Sequence, residues 1–292
     1  MKNVLFIYNP VSGTGMVKRK MFDIVDFYNA NDCLVTLCPV LKLMQSETAG
    51  EELKKYDNVV VSGGDGTLNN FLTFCSKIGY DGAIGYIPAG STNDYAATLG
   101  LTGNLENALN TTIRGTEQAI DIGRFNGNPF LYVAAFGIFT KVVYTTPQNV
   151  KNIMGHAAYI LEGAKQLPEL QSYKLKLTVD SDEYEGSFLL GLITNSESVG
   201  GMKNRANDIE LDDGKFEVMF IRTPENILEL NNIIMALTFE KPELSSNIIM
   251  CKCENVHVEH ETTTEWTLDG EYGGAQKSVD ITIQKKEFRI IV

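Results

Sequence analysis

Two stretches hold residue types and spacings that could do chemistry. The first reads Ser62-Gly63-Gly64-Asp65-Gly66-Thr67, placed after the apolar run Val59-Val60-Val61 and before the helix-compatible Leu68-Asn69-Asn70-Phe71-Leu72. Glycines let a backbone come close to a ligand with no Cβ in the way. The N–H groups of a turn and of a helix start point at an anion. Asp65, in the middle, can address a metal or a sugar hydroxyl. The spacing is neither that of a Walker A loop nor Gly-x-Gly-x-x-Gly. The second stretch is Leu268-Asp269-Gly270-Glu271-Tyr272-Gly273-Gly274. A carboxylate held in a rigid turn suits a general base, so Glu271 is a candidate to take the proton of an alcohol during phosphoryl transfer. Asp-Gly is also an ordinary hairpin pair.

Other residues gain meaning from their surroundings. Asn9-Pro10-Val11-Ser12-Gly13 and Pro88-Ala89-Gly90-Ser91-Thr92-Asn93-Asp94 each follow a short apolar run. Alone, either reads as a cap and a loop. Placed at one sheet edge with Asp65, they become walls of a single site. Asp121 is flanked by apolar residues in Ala119-Ile120-Asp121-Ile122-Gly123. A buried acid is costly unless paired, so Asp121 is either at a solvent-facing edge or in a cleft, acting with a cation or with Glu271. Asn207-Asp208-Ile209-Glu210-Leu211-Asp212-Asp213-Gly214-Lys215 reads as a solvated turn or as an oxygen-rich loop for a hard cation. His156, His257 and His260 have no spacing that suggests a metal or a triad.

These stretches need elements to hold them. Over the first 120 or so residues, strand-like runs at 4–8, 34–37, 59–61 and 83–87 alternate with helical patterns, including 16–28 and one from Ser46, as N-cap, to about 56. That alternation argues for a parallel sheet covered on both faces, whose ligands bind at the carboxyl ends of the strands. After a helix near 107–113 the pattern turns to strands at 119–125, 130–136, 173–180, 184–194, 215–221, 248–259, 263–268 and 279–291. Only two helices interrupt, near 148–167 and 224–237. The expected architecture is α/β plus β: a Rossmann-like three-layer nucleotide-binding domain over residues 1–127, then an antiparallel β-sandwich over 128–292. A last strand returning to the first domain and a cleft between the two are part of that expectation.

Composition narrows the function classes. The net charge of −12 disfavours nucleic acid, whose binding rests on neutralising phosphates. The hydrophobic share of 43% supports a packed core. No run approaches the ~18 apolar residues of a membrane helix, and the start Met1-Lys2-Asn3-Val4 does not read as a signal peptide. Five scattered cysteines suit reduced thiols in a cytosol.

With these residues assembled, the chain resembles, end to end, the diacylglycerol kinase catalytic-domain family, in particular its soluble bacterial lipid kinases. The carriers are Tyr8 to Gly13, Gly63 to Thr67, Ile87 to Asp94, Asn195-Ser196 with Val199-Gly200-Gly201 and Leu211 to Phe216, and Leu268 to Gly274. The glycine-aspartate signature is shared with NAD kinases and phosphofructokinases, so the specificity comes from the order of all five. The resemblance implies ATP bound by Asn9, Pro10, Val11, Ser12, Gly13, Gly63, Gly64, Asp65, Gly66, Thr67, Leu68, Asn69, Ser91 and Thr92. It implies Mg²⁺ near Asp65 and Asp121, with Glu271 as base, and phosphorylation of diacylglycerol to phosphatidic acid. A second, structural Mg²⁺ would take the Asp213 carboxylate and main-chain carbonyls of Glu210 and Lys215. It further implies a homodimer in the cytoplasm, acting peripherally at the inner membrane face. Another lipid alcohol, such as a sphingoid base or a polyprenol, or a non-catalytic nucleotide- or lipid-binding regulator, stands as the alternative.

Overall fold

The computed structural model describes residues 1–13, 15–90, 93–101, 104–138, 161, 171–195, 198–199, 202–203 and 212–292. Ser91, Thr92, Glu210 and, apart from Leu161, the helix expected over 148–167 lie outside the described residues. The chain forms two compact units, Met1–Ile120 with Lys286–Val292, and Asp121–Lys285. A boundary after residue 127 was expected. The division between the two units lies within the strand Glu117–Phe125.

The first unit contains β1 (Lys2–Tyr8), α1 (Met16–Arg19), α2 (Met21–Ala30), β2 (Cys33–Pro39), α3 (Val40–Met44), α4 (Ala49–Leu53), β3 (Asn58–Gly63), α5 (Asp65–Ile78), β4 (Ile84–Pro88), α6 (Asp94–Thr98) and α7 (Leu105–Arg114). Its strands pair in parallel in the order β4-β3-β1-β2, and Ile290 and Ile291 add a further parallel partner to β4. Val4 and Phe6 pack with Ile24, Tyr28 and Leu109. Leu5 and Ile7 point to the opposite face and are equally buried, so both faces are covered. On α5 the buried Leu68, Phe71, Leu72 and Cys75 follow helical spacing and lie against β3.

Two helices differ from expectation. The pattern over 16–28 breaks at Lys20, whose φ of −105° leaves the helical range. The helix expected from Ser46 begins only after Thr48; Gly50 in its first turn weakens it, and the Ser46 hydroxyl lies 3.3 Å from Thr48 Oγ1 instead of capping.

The second unit begins within β5 (Glu117–Phe125) and continues through β6 (Asn128–Phe130), β7 (Val133–Gly137), β8 (Tyr173–Val179), β9 (Asp182–Thr194), the short pair β10 (Ser198–Val199) and β11 (Met202–Lys203), β12 (Phe216–Arg222), α8 (Ile227–Thr238), β13 (Ile248–Cys253), β14 (Asn255–Leu268) and β15 (Glu271–Ile291). The main sheet of this unit is antiparallel, in the order β13-β12-β9-β7-β14-β15, with β5 on β15 and β6 on β5. β7 and β8 both pair with β9 and β14, β7 at one end and β8 at the other. Phe130 of β6 stacks on Phe216 of β12, centroids 5.8 Å apart. Those strands are remote in the sheet order, so the sheet curls over a shared core that includes Phe136, Phe188, Phe220 and Trp266.

Single strands expected at 130–136 and 248–259 are each two. In the second case the Asp180 carboxylate accepts the Glu254 and Asn255 amides at 3.0 and 2.9 Å and turns the chain there.

Candidate active site

Three strand-end turns of the first unit meet. The Asn9 amide donates to Thr67 Oγ1 at 2.9 Å, and Ser12 Oγ lies 3.3 Å from the same atom. Asn9 Oδ1 accepts the Val11 amide at 3.1 Å, shaping the first turn. A Cβ on Gly90 would stand 2.6 Å from Gly64 Cα, one on Gly13 would stand 2.3 Å from the Ala89 carbonyl, and one on Gly63 would strike the Thr67 side chain. The glycines are therefore needed for backbone to approach backbone, not only for a ligand. Gly13 also has φ +52°, a conformation that a Cβ disfavours.

The third turn is fastened by a residue without an assigned role in the sequence. Asn93, at φ 55°, accepts the Gly90 amide at 2.8 Å and donates to the Gly90 carbonyl at 3.0 Å. Its signal was the tolerance of Asn for the left-handed region.

Helix α5 starts at Asp65 with Gly64 as N-cap and no side-chain cap. The Thr67 and Leu68 amides return to the Gly64 carbonyl. The N-terminal turn of a helix of this length attracts negative charge. Asp65 receives the Tyr86 hydroxyl at 3.4 Å, and that hydroxyl also reaches the Gly63 carbonyl at 3.2 Å. Burial, with Asp65 adding to it, pushes the Tyr86 phenol up, so it stays a neutral donor. Tyr86 follows no motif, because only the parallel register of β3 and β4 brings it beside the turn. Pro10 and Asn69 are half-buried, Val11 is exposed and Leu68 is buried. Leu68 thus serves the core of α5.

The remaining site candidates lie in the second unit. Asp121 is fully buried on β5, so the solvent-facing alternative does not hold. Its Oδ2 accepts the Gly214 amide at 2.7 Å, and its carbonyl accepts from the Asn195 side chain at 2.7 Å. Asp121 therefore reaches the turn that carries Asp213. Asp213 Oδ1 accepts the Lys215 amide at 2.9 Å, and its Oδ2 lies 2.9 Å from Lys252 Nζ.

Glu271 is exposed at the first position of β15, paired with Leu268. The two residues between have φ 51° and 82°, as in a two-residue hairpin turn. The hairpin alternative is therefore real, and it is also built with unusual care. Asp269 accepts the amides of Leu131, Tyr132 and Val133 at 2.7, 2.9 and 3.0 Å. Sequence reasoning placed Asp269 in the turn without seeing that it anchors it.

Among the described residues no three acids, histidines or cysteines gather as a ready metal cluster. His257 pairs with Asp280 at 2.6 Å, and His260 is buried among aromatic rings, so neither joins a site. No helix among the described residues is long and apolar enough to cross a membrane.

Against known proteins, residues 3–125 match the family model of the diacylglycerol kinase catalytic domain. The chain is 32% identical over 278 residues to a diacylglycerol kinase of Bacillus subtilis, covering 94% of this chain and 91% of that one. It is 30% identical over 275 residues to a diacylglycerol kinase of Staphylococcus saprophyticus, covering 94% and 90%. A crystal structure from Bacillus anthracis superimposes with a TM-score of 0.76 at 22% identity, covering 99% and 95% of the two chains; at that identity it speaks for the fold. The near-complete coverage and the identity of the relatives show that this chain belongs to the diacylglycerol kinase family of enzymes.

Proposed function

We propose that this kinase transfers the γ-phosphoryl group of ATP to the primary hydroxyl of diacylglycerol, giving phosphatidic acid, with Mg²⁺ as the accompanying cation. The observation that carries the nucleotide half is the close backbone contact of three glycine turns at the start of α5. A Cβ at Gly13, Gly63 or Gly90 would fill that cradle, while Ser12 and Thr67 hydroxyls and helix-start amides supply donors for phosphate oxygens. Asn9, Gly64 and Asn93 keep the three turns in place. On this reading the first unit is a Rossmann-like nucleotide unit, and the second, a sandwich-type β unit, presents the lipid at the inner membrane face.

The hard carboxylate of Asp65 fits Mg²⁺, held against reorientation by Tyr86. A bound cation would supply neutralisation of charge developing on the phosphoryl oxygens. Asp121 acts by holding the turn at Gly214. Glu271, exposed on a turn fixed by Asp269, takes the proton of the acceptor hydroxyl. Phosphoryl transfer asks chiefly for position and charge stabilisation, so a set of carboxylates, hydroxyls and helix-start amides suits it.

The test is Glu271→Gln in a labelled-ATP assay with detergent-dispersed diacylglycerol. The expected result is a turnover loss of at least about 10²-fold, the lower range for removing a general base, with ATP still bound. Near-wild-type turnover would remove Glu271 from this role. A panel adding a sphingoid base and a polyprenol sorts the acceptors. ATP binding without transfer to any of them would point to a regulator.

A further inference from the structure

Asp213, on the turn before β12, and Glu217, on β12, direct their carboxylates at one ammonium. Lys252 of β13 stands opposite Glu217 in the antiparallel register. Its Nζ is 2.9 Å from Asp213 Oδ2 and 3.0 Å from Glu217 Oε1. The two acid side chains are only 17% and 13% exposed, against 41% for the lysine. Acids so placed need a positive partner, since each disfavours the charge of the other. Burial pushes the Glu217 carboxyl up while Lys252 pulls it back, and the bond from Asp213 holds the Lys252 ammonium more firmly charged.

The structural Mg²⁺ expected at Asp213 does not fit this arrangement. Oδ1 is engaged by the Lys215 amide and Oδ2 by Lys252. A divalent ion on Oδ2 would face the Lys252 ammonium, 2.9 Å from that oxygen, as a like charge, and the two would repel.

We propose that the Lys252 ammonium is itself the cation of this turn. It bridges Asp213 and Glu217, ties the turn to β13, and makes the second unit independent of a structural divalent ion. The proposal stands on this geometry and does not rest on the choice of lipid acceptor.

The experiment is thermal unfolding of the whole chain without nucleotide, in chelator and then in millimolar magnesium or calcium chloride, alongside Lys252→Gln. The wild type is expected to melt at the same temperature in all three. Lys252→Gln is expected to melt about 2–4 °C lower and to regain stability with either salt, because two uncompensated carboxylates then make an oxygen site. A wild-type melting temperature raised by divalent ions, with the rise lost in Asp213→Asn, overturns the proposal. So does a Lys252→Gln chain that melts like the wild type and ignores both salts. Should that variant fail to fold, calorimetric titration of magnesium chloride into wild type and Asp213→Asn decides. Matching isotherms support the proposal, and a saturable site present only in the wild type overturns it.

Discussion

His260 is 2% exposed, lies edge-on to Phe136 with centroids 4.9 Å apart, and has neither ring nitrogen hydrogen bonded. Burial lowers its pKa from the ordinary histidine value of 6.5 to about 4. The consequence for pH has a definite sign. Between those two values the unfolded chain binds a proton that the folded chain refuses, so stability is complete above about 6.5 and is lost as pH falls towards 4. A shift of that size corresponds to about 2 kcal/mol lost between pH 7 and pH 5. His257 has the opposite sign: its bond to Asp280 raises its pKa, and what it contributes is lost as pH rises. That pair is substantially exposed and contributes little. His260→Phe is expected to flatten the acid side of the stability curve by about 2 kcal/mol at pH 5, read from urea unfolding at the two pH values. Equal slopes in variant and wild type would show that His260 is not the sensor. The strand alternation puts His257 and His260 on opposite faces, but it does not tell which of the two faces solvent and which faces aromatic rings.

A turn is the smallest element whose geometry the proposed chemistry needs, and two of them can be tested. The hairpin that carries Glu271 hangs on three amides converging on Asp269. Asp269→Asn turns one acceptor oxygen into a donor facing N–H groups, and hydrogen bonds to a charged group each contribute about 1.5–3 kcal/mol. The variant is expected to lose about 3 kcal/mol and, with it, most turnover, even though Glu271 is untouched. Unchanged stability by chemical unfolding would mean that the anchor is dispensable. In the nucleotide cradle, Gly90→Ala places a Cβ 2.6 Å from Gly64 Cα and 2.7 Å from Asn93 Oδ1. Such overpacking costs about 1–3 kcal/mol, and the thermal stabilisation expected from Mg-ATP should vanish with it; persistence of that shift would detach the cradle from nucleotide binding. These glycine turns were legible in the sequence because strand, turn and helix start are consecutive residues. The amides that hold Asp269, and the Lys252 that meets Asp213, were not, since they come from strands joined only by register. The hydrophobic alternation of Lys174-Leu175-Lys176-Leu177 predicted β8 correctly, whereas the breaks at Leu131 and Glu254 were invisible because side chains elsewhere impose them.

At the scale of the whole chain, the last residues belong with the first. Lys286–Val292 is part of the first unit, where Ile290 and Ile291 pair with Ile84 and Gly85 of β4. Thr116 and Val292 exchange backbone bonds at 2.8 and 2.9 Å. Arg289 reaches Glu117 and the Asp81 carbonyl, both at 2.6 Å, and Ser76 donates to Glu287 at 2.7 Å. Phe288 is 4% exposed and Ile290 is fully buried. The first unit thus includes the segment Lys286–Val292, whose pairing with β4 depends on register and is not readable from the sequence. Removing residues 286–292 would strip β4 of one partner and expose the cavity left by two large side chains, at about 1.5–3 kcal/mol each. With the lost backbone pairing, the total approaches the whole stability of an ordinary domain, about 5–15 kcal/mol. Because β4 ends in the Pro88 to Gly90 turn, the damage should reach the nucleotide cradle first. The truncated chain is therefore expected to be cut by a protease within residues 1–120 under conditions where the full chain resists, while the curled sheet of residues 121–285 retains the buried-tryptophan signal of Trp266. Cleavage that starts in the second unit, or a truncated chain as resistant as the full one, would show that the closing segment is not what holds the first unit together.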